Sequence, residues 1–455
     1  MAQHSLSRNS KNRPQKNDDI FEVNMIANKN GEVVTTSNRF PVDIVFGGVS
    51  TYNSSGNLSS SIDAFGRLRI STPLTIFDSS HRFSDNDLWA TKLTTNGSKT
   101  FQANEGVVDL DVTNENGSEV IRETYRVFGY QPGKSLLILN TFVMNEPKTG
   151  LRQRVGYYST QNGFYLELDG TDLGFVRRSY VSGFVVNTKI SQADWNVDKL
   201  DGTGLSGLTL DISKAQIMWS DMEWLGVGSV RLGFVINGQF ILCHIFHHAN
   251  LTETTYITTA SLPLRMEITN TAATSGASKL KHICNSVQSE GGYELRGTQQ
   301  GIGTTITSPH SLATGGTYYP VVGLRLKTTG QRLDAIVILS AVSFLGLSNG
   351  VNYNWRVVQR ATITGGSWVS AGENSSVEYN LTGTSVSGGR ILAQGYTAAS
   401  NQSVSSTELL KEALFRFQLE RDPFPPTSYE LVLEVAASSN SATCHASLDW
   451  EEVTR

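Results

Sequence analysis

Cysteine is scarce in this sequence. Three residues in 455, Cys243, Cys284 and Cys444, are odd in number and widely spaced, which excludes a disulfide framework and fits synthesis in a reducing cytoplasm. Charge is low as well: Asp, Glu, Lys and Arg make up 17 % of the chain, against about 25 % in an ordinary soluble domain. The formal net charge is −4 and the cations are dispersed. That excludes the clustered basic surface a nucleic-acid partner needs. The one local basic group, Arg8, Lys11, Arg13 and Lys16, sits in a polar N-terminal stretch without an apolar core, so it reads neither as a signal peptide nor as a membrane insertion. Heptads, collagen-like tracts, fixed-period repeats and a His-Glu-x-x-His motif are missing too.

What is present points to short strands. Hydrophobic residues make up 39 % and aromatics 9 %, with 42 glycines and many Ser, Thr and Asn, a mixture that suits strands joined by tight turns. The length favours two or three domains of about 100 to 250 residues. The reading is an all-β protein: an extended N-terminal attachment arm over residues 1–60, a jelly-roll-like β-sandwich over 61–296, a linker over 297–316 and a C-terminal β-sandwich over 317–455. The arm is polar, interrupted by short apolar pieces, and cannot bury a core alone.

In the first sandwich, Val108, Leu110 and Val112 alternate with Asp109 and Asp111, and Asn116-Gly117 offers a turn before Val120 to Phe128, which predicts a hairpin. Further strands are expected at Leu136 to Val143, Phe164 to Leu168, Val181 to Ile190, Val230 to Ile236, Phe240 to His247 and Leu264 to Ile268, with Asn237-Gly238 as the clearest type I′ turn. The Gly-, Thr- and Ser-rich stretch Gly297 to Gly316 lacks apolar periodicity, hence the linker. Beyond it, strands are expected at Val321 to Leu326, Ala335 to Leu345, Tyr353 to Val358, Phe415 to Leu419 and Tyr429 to Val435. Ser405-Ser-Thr-Glu408 matches a capping box and predicts a short helix over Glu408 to Ala413.

Four groups of residues have the right types for chemistry. Cys243, His244, His247 and His248 are zinc-ligand types, but on a regular strand Cys243 and His244 face opposite ways and Cys243 lies about 13 Å from His247 at about 3.3 Å per residue. Hairpin core and rim is the expectation there; Cys284 or His282 would join only through tertiary packing. Asp194, Asn196, Asp198 and Asp201 are spaced somewhat like a calcium loop, but the twelfth position is Leu205 where that loop needs a Glu, so an Asx-type turn is expected. Asp221 and Glu223 share a strand face about 7 Å apart, a spacing that permits glycan hydrolysis and is common on solvated surfaces. The seven tryptophans, Trp89, Trp195, Trp219, Trp224, Trp355, Trp368 and Trp450, are sugar-stacking candidates that in a sandwich more often fill the core.

A series of phrases adds a resemblance. Ser61-Ile-Asp-Ala-Phe-Gly-Arg-Leu-Arg-Ile70, Leu74-Thr-Ile-Phe-Asp-Ser-Ser-His81, Tyr130-Gln-Pro-Gly-Lys-Ser135 and Arg154-Val-Gly-Tyr157 come first. Trp195-Asn, Asp221-Met-Glu-Trp-Leu-Gly-Val-Gly228, His247-His-Ala-Asn250 and Ser289-Glu-Gly-Gly-Tyr293 follow. In this order, over residues of about 60 to 295, the chain resembles virion structural proteins of tailed phages, particularly marine and cyanobacterial ones. The C-terminal segment has no counterpart in the resemblance. A place in the particle is implied, with no catalytic, cofactor-binding or metal-binding residue to carry over, and hence no enzyme. The expected role is a tail-, baseplate- or fibre-associated protein held to other virion proteins through residues 1–60. The alternatives are a head-surface decoration or head-fibre protein, or an adhesin whose C-terminal domain binds a host surface glycan. A homo-oligomer, with a trimer favoured, assembled in the host cytoplasm into the virion, completes the expectation.

Overall fold

The computed structural model describes residues 72–454 apart from 295, 331, 400–405 and 410–416. The expected arm, residues 1–60, and the phrase Ser61 to Ile70 lie outside the described residues. Within them the protein is built from antiparallel strands, with two short 3-10 turns, Gln192–Asp194 and Arg332–Asp334, and no α-helix. The all-β expectation holds.

The first sandwich packs two sheets. Sheet A runs Gln239–Phe246, Val230–Ile236, Gln216–Met222, Ser135–Val143, Ser278–Glu290, Val107–Val112, Ser98–Gln102, and Pro73–Ser80 also pairs with Ser278–Glu290. Sheet B runs Val186–Ser191, Asp172–Ser179, Gly163–Asp169, Leu151–Tyr158, Leu264–Asn270, Glu119–Thr124, Trp89–Thr94. Period-2 alternation places the core between them. Along Ser135–Val143, Leu136, Ile138 and Phe142 are fully buried while Leu137, Leu139 and Thr141 are half-buried on the other face. Each such side chain stabilises the fold by about 1.5 to 3 kcal/mol. At the centre Trp195 stacks on Phe175 at 4.5 Å, with Phe234 6.1 Å from Phe175.

The second sandwich has its own core, from Leu312 to Trp450. Sheet C runs Thr298–Gly303, Ala442–Thr454, Ile336–Gly346, Ser406–Leu409, with His310–Leu312 also on Ala442–Thr454. Sheet D runs Val369–Ser370, Val377–Asn380, Tyr319–Leu326, Glu430–Ala437, Asn352–Thr364, Ser385–Ser387, with Arg390–Ala398 also on Asn352–Thr364.

One expected turn holds, and several other expected details are corrected. Asn237-Gly238 joins its hairpin with both residues at positive φ, 53° and 75°, as a type I′ turn requires. Asn116-Gly117 does not: Val107–Val112 belongs to sheet A and Glu119–Thr124 to sheet B, so the turn carries the chain across the sandwich. A turn signal specifies a reversal but not a hydrogen-bonding partner. Residues 181–185 turn between two strands, so the run expected from Val181 begins only at Val186. The region 297–316 is no free linker, since Thr298–Gly303 and His310–Leu312 pair with Ala442–Thr454. These strands leave much of their surface in solvent, so they carry no apolar period. In the capping-box segment Ser406–Leu409 is a strand on Ile336–Gly346, where sheet pairing overrides the local helix signal; 410–413 lie outside the described residues. In place of a strand at Phe415 to Leu419, Gln418 forms a single bridge with Ile338, and 415–416 lie outside the described residues.

Candidate functional site

The cysteine–histidine segment departs from strict alternation. Leu232 faces His244 and Gly233 faces Leu242, so Cys243 is the extra residue of a bulge. Cys243 and His244 therefore both lie toward the core side, opposite Leu232, and not on opposite faces as a regular strand would put them. Cys243 is fully buried, and burial holds its thiol far above the usual range. His244 meets the Phe246 ring at 4.6 Å and accepts the Asn196 N–H at 3.4 Å. His247 lies near Ser229 at 3.4 Å, while His248 stacks on Tyr256 at 3.8 Å and its Nδ1 contacts the Gly228 carbonyl at 2.7 Å. Among the described residues no three His, Cys, Asp or Glu side chains form a metal-binding group.

The Asp194 to Gly202 run folds into Asx-type turns. Asp198 accepts the N–H of Leu200 at 2.9 Å and of Ser206 at 2.7 Å, and Asp201 accepts both the N–H and the hydroxyl of Thr203. Asp221 is buried and ion-paired with Arg231, whereas Glu223 is exposed beyond the strand end. Trp89, Trp195, Trp219, Trp355 and Trp450 are buried, and Trp224 and Trp368 are half-buried, the latter under the Arg325 guanidinium at 4.2 Å.

Two short strings match chemistry-bearing patterns, and their context removes both. Gly346-Leu-Ser348-Asn-Gly350 has the spacing of a hydrolase nucleophile elbow, which needs a strand-to-helix turn. Here it carries the chain from Ile336–Gly346 of sheet C to Asn352–Thr364 of sheet D with no helix following, and Ser348 Oγ accepts the Thr443 N–H at 3.0 Å. Gly202-Thr-Gly204-Leu-Ser-Gly207 has the spacing of a dinucleotide loop but neither follows a strand nor opens a helix; it wraps the Asp198 carboxylate.

Two polar assemblies carry no local sequence signal. One lies inside the first sandwich, where His81 Nε2 is 3.3 Å from His282 Nδ1, Arg122 Nε donates to His282 at 3.1 Å, and Arg122 is ion-paired with Asp85 at 2.8 Å. His282 also contacts Asn285, which donates to Asn140 at 2.7 Å. Burial, with the Arg122 charge adding to it, pushes His81 down to about 4 and His282 well below its usual range.

The other covers the outer face of sheet B. Register sets Glu123, Arg265, Gly156, Tyr165, Val176 and Lys189 in one cross-strand row, and Ile121, Glu267, Arg154, Glu167 and Gly174 in the next. Arg265 joins Glu123 and Glu267, both at 2.6 Å, and Arg154 joins Glu167 at 2.7 Å and Glu267 at 3.1 Å. Tyr158 and Tyr165 pack ring to ring at 4.4 Å, with Arg178 over both. Gly156 makes the row possible: a Cβ there would lie 2.4 Å from the Phe164 carbonyl oxygen and 2.6 Å from Tyr165 Cα. Burial alone would raise the Glu267 pKa, but Arg265 and Arg154 hold it at about 2.

This face is where the sandwiches join. The hairpin of Arg421–Pro423 and Pro426–Ser428 reaches back from the second sandwich, and Arg421 bridges Glu123 and Asp334, each at 2.6 Å. Beside it Glu420, nearly sealed from solvent, holds Arg126 of the first sandwich at 2.9 Å and Arg360 of the second at 2.7 Å. Between the hairpin, the Arg332–Asp334 turn, the loop 159–161 and sheet B lies a cleft of about 310 Å³. Together these features define a two-sandwich β protein with a charged cleft at its joint.

No family model and no curated protein matches the chain. Among solved structures, a Bacillus licheniformis β-glucanase shares 12 % identity over 46 % of this chain and 96 % of its own, at a TM-score of 0.32. The carbohydrate recognition domain of Emp47p shares 12 % over 47 % of this chain and 94 % of its own, at 0.29. A carbohydrate esterase of a Shiga toxin-encoding bacteriophage shares 14 % over 48 % of this chain and 100 % of its own, at 0.28. Likeness of this extent carries no argument about activity or ligand.

Proposed function

We propose that this chain is a non-enzymatic structural component of a phage virion, associated with the tail, baseplate or a fibre and attached to other virion proteins through residues 1–60. The observation that carries the reading is the joint between the sandwiches. Glu420 and Glu123 each take arginines from both sides, and Gln418 donates to the Val127 carbonyl at 2.9 Å across the same boundary. Breaking a buried ion pair of this kind costs about 3 to 5 kcal/mol. Such a joint suits a part that transmits load from an anchor to an outer domain. The carboxylates that sequence spacing offers for catalysis do not form a free acid–base pair, since Asp221 is engaged by Arg231. A homotrimer suits the symmetry of a phage appendage.

The experiment is a phage carrying the gene with residues 1–60 deleted. The truncated protein is expected to stay folded and soluble yet be absent from purified particles. Normal incorporation would refute the attachment role. A reconstruction of the intact particle distinguishes a tail or baseplate position from a head-surface one and gives the copy number, and the protein's mass in solution gives its oligomeric state.

A further inference from the structure

The ion pairs at the joint leave one nitrogen of each cleft arginine unused. Arg265 spends Nε on Glu267 and Nη1 on Glu123, and Arg421 spends Nε on Asp334 and Nη2 on Glu123. Among the described residues Arg265 Nη2 and Arg421 Nη1 have no hydrogen-bond partner, and neither is sealed from solvent. Both arginines are themselves more than nine-tenths buried, as is the Glu123 that each one binds, so the free N–H groups have a fixed direction. Asp334, 42 % exposed at its side chain, uses only Oδ1 and keeps Oδ2 free. Thr160 and Gln161 line the same cleft, and neither side chain makes a hydrogen bond among the described residues. Leu333, Pro423 and Pro426 supply the apolar part of the lining.

We propose that this cleft is a binding site for a neutral sugar residue. Three features select that chemistry. Fixed N–H donors beside a free carboxylate oxygen match a vicinal diol, whose hydroxyls each accept one hydrogen bond and donate another. The two prolines and Leu333 offer a surface for the C–H face of a pyranose ring. The third feature is charge balance: Arg265 and Arg421 are offset by Glu123 and Asp334, with Glu267 also on Arg265. A carboxylate or phosphate would be desolvated there without a spare positive charge to compensate it. The volume, about 310 Å³, falls at the lower end of small-molecule sites. Because sheet B forms one wall and the hairpin the other, the site needs both sandwiches; the C-terminal one alone carries half of it. This inference goes beyond the virion role and does not depend on it.

The test is saturation-transfer difference NMR on the full chain, with neutral trisaccharides built from glucose, galactose or mannose, and with a glucuronic acid disaccharide and a poly-glutamate peptide as charged probes. At least one neutral sugar is expected to bind, with the charged probes weaker. Thr160→Arg, on the exposed loop and outside every ion pair, blocks the cleft, and Asp334→Asn removes the diol acceptor; each is expected to weaken binding about 10-fold or more. Thr160→Arg is expected to melt like the parent protein. Three results overturn the proposal: no neutral sugar binding at about 10 mM, tighter binding of a charged probe, or unchanged sugar binding by a folded Thr160→Arg variant.

Discussion

Replacing Glu267 by glutamine keeps the side-chain shape but leaves Arg265 and Arg154 facing a neutral amide at distances of 2.6 and 3.1 Å. The fall of this carboxyl from 4.5 to about 2 in the folded protein corresponds to about 3 kcal/mol at about 1.4 kcal/mol per pH unit. Breaking one partner out of a buried ion pair gives a similar figure, about 3 to 5 kcal/mol. The folded-state pKa is depressed, so this stability is fully present above the unfolded value and is lost as pH falls from 4.5 to about 2. Urea unfolding followed by tryptophan fluorescence measures it, because Trp89, Trp195, Trp219 and Trp224 all report on the first sandwich. Glu267→Gln is expected to be less stable than the parent by about 3 kcal/mol at pH 7, with the gap closing as the solution approaches pH 2. A loss below about 1 kcal/mol at pH 7, or a gap that does not change with acid, would refute the assignment of Glu267 as the charge that holds the row together.

Four histidines give a second expectation. Burial lowers His81, His244 and His248 to about 4 and His282 further. The unfolded chain therefore binds more protons below pH 6.5, and stability drops as pH falls from there toward 4. A melting temperature that stays flat between pH 6.5 and 5 would contradict this. Gly156→Ala forces a Cβ into the Phe164 carbonyl and Tyr165, and is expected to cost about 1 to 3 kcal/mol in thermal or urea unfolding; a neutral result would mean that sheet B gives way there. Glu420→Gln removes the shared partner of Arg126 and Arg360. It is expected to raise hydrogen exchange selectively at Arg421 to Ser428, and unchanged protection would show that the joint does not rest on this carboxylate.

Period-2 patterning and turn chemistry made the strand-rich character legible without a structure. Leu136, Ile138 and Phe142 face inward because alternate residues of a strand face alternate sides, and Asn237-Gly238 turns because two consecutive positive-φ positions favour that pair. Most tryptophans could be placed in the core because their area is worth most there. Partners were another matter. Local sequence does not state which strand lies beside which, so the Asn116-Gly117 turn predicts a hairpin where the chain crosses between sheets, and Thr298–Gly303 has the composition of a linker although it is a sheet edge. A single inserted residue at Cys243 was equally invisible, and it turned two side chains to one face.

The sequence alone determined the class of the protein, because composition and strand periodicity are local properties. Only the tertiary structure decided where its charge is concentrated. Glu123, Arg154, Glu167, Arg265, Glu267 and Arg421 are scattered over nearly three hundred positions and look like ordinary surface charges one by one. Strand register aligns five of them across sheet B, and the returning hairpin adds the sixth. Ion pairing depends on distance in space and on removal from water. Neither quantity exists until the sheets have packed.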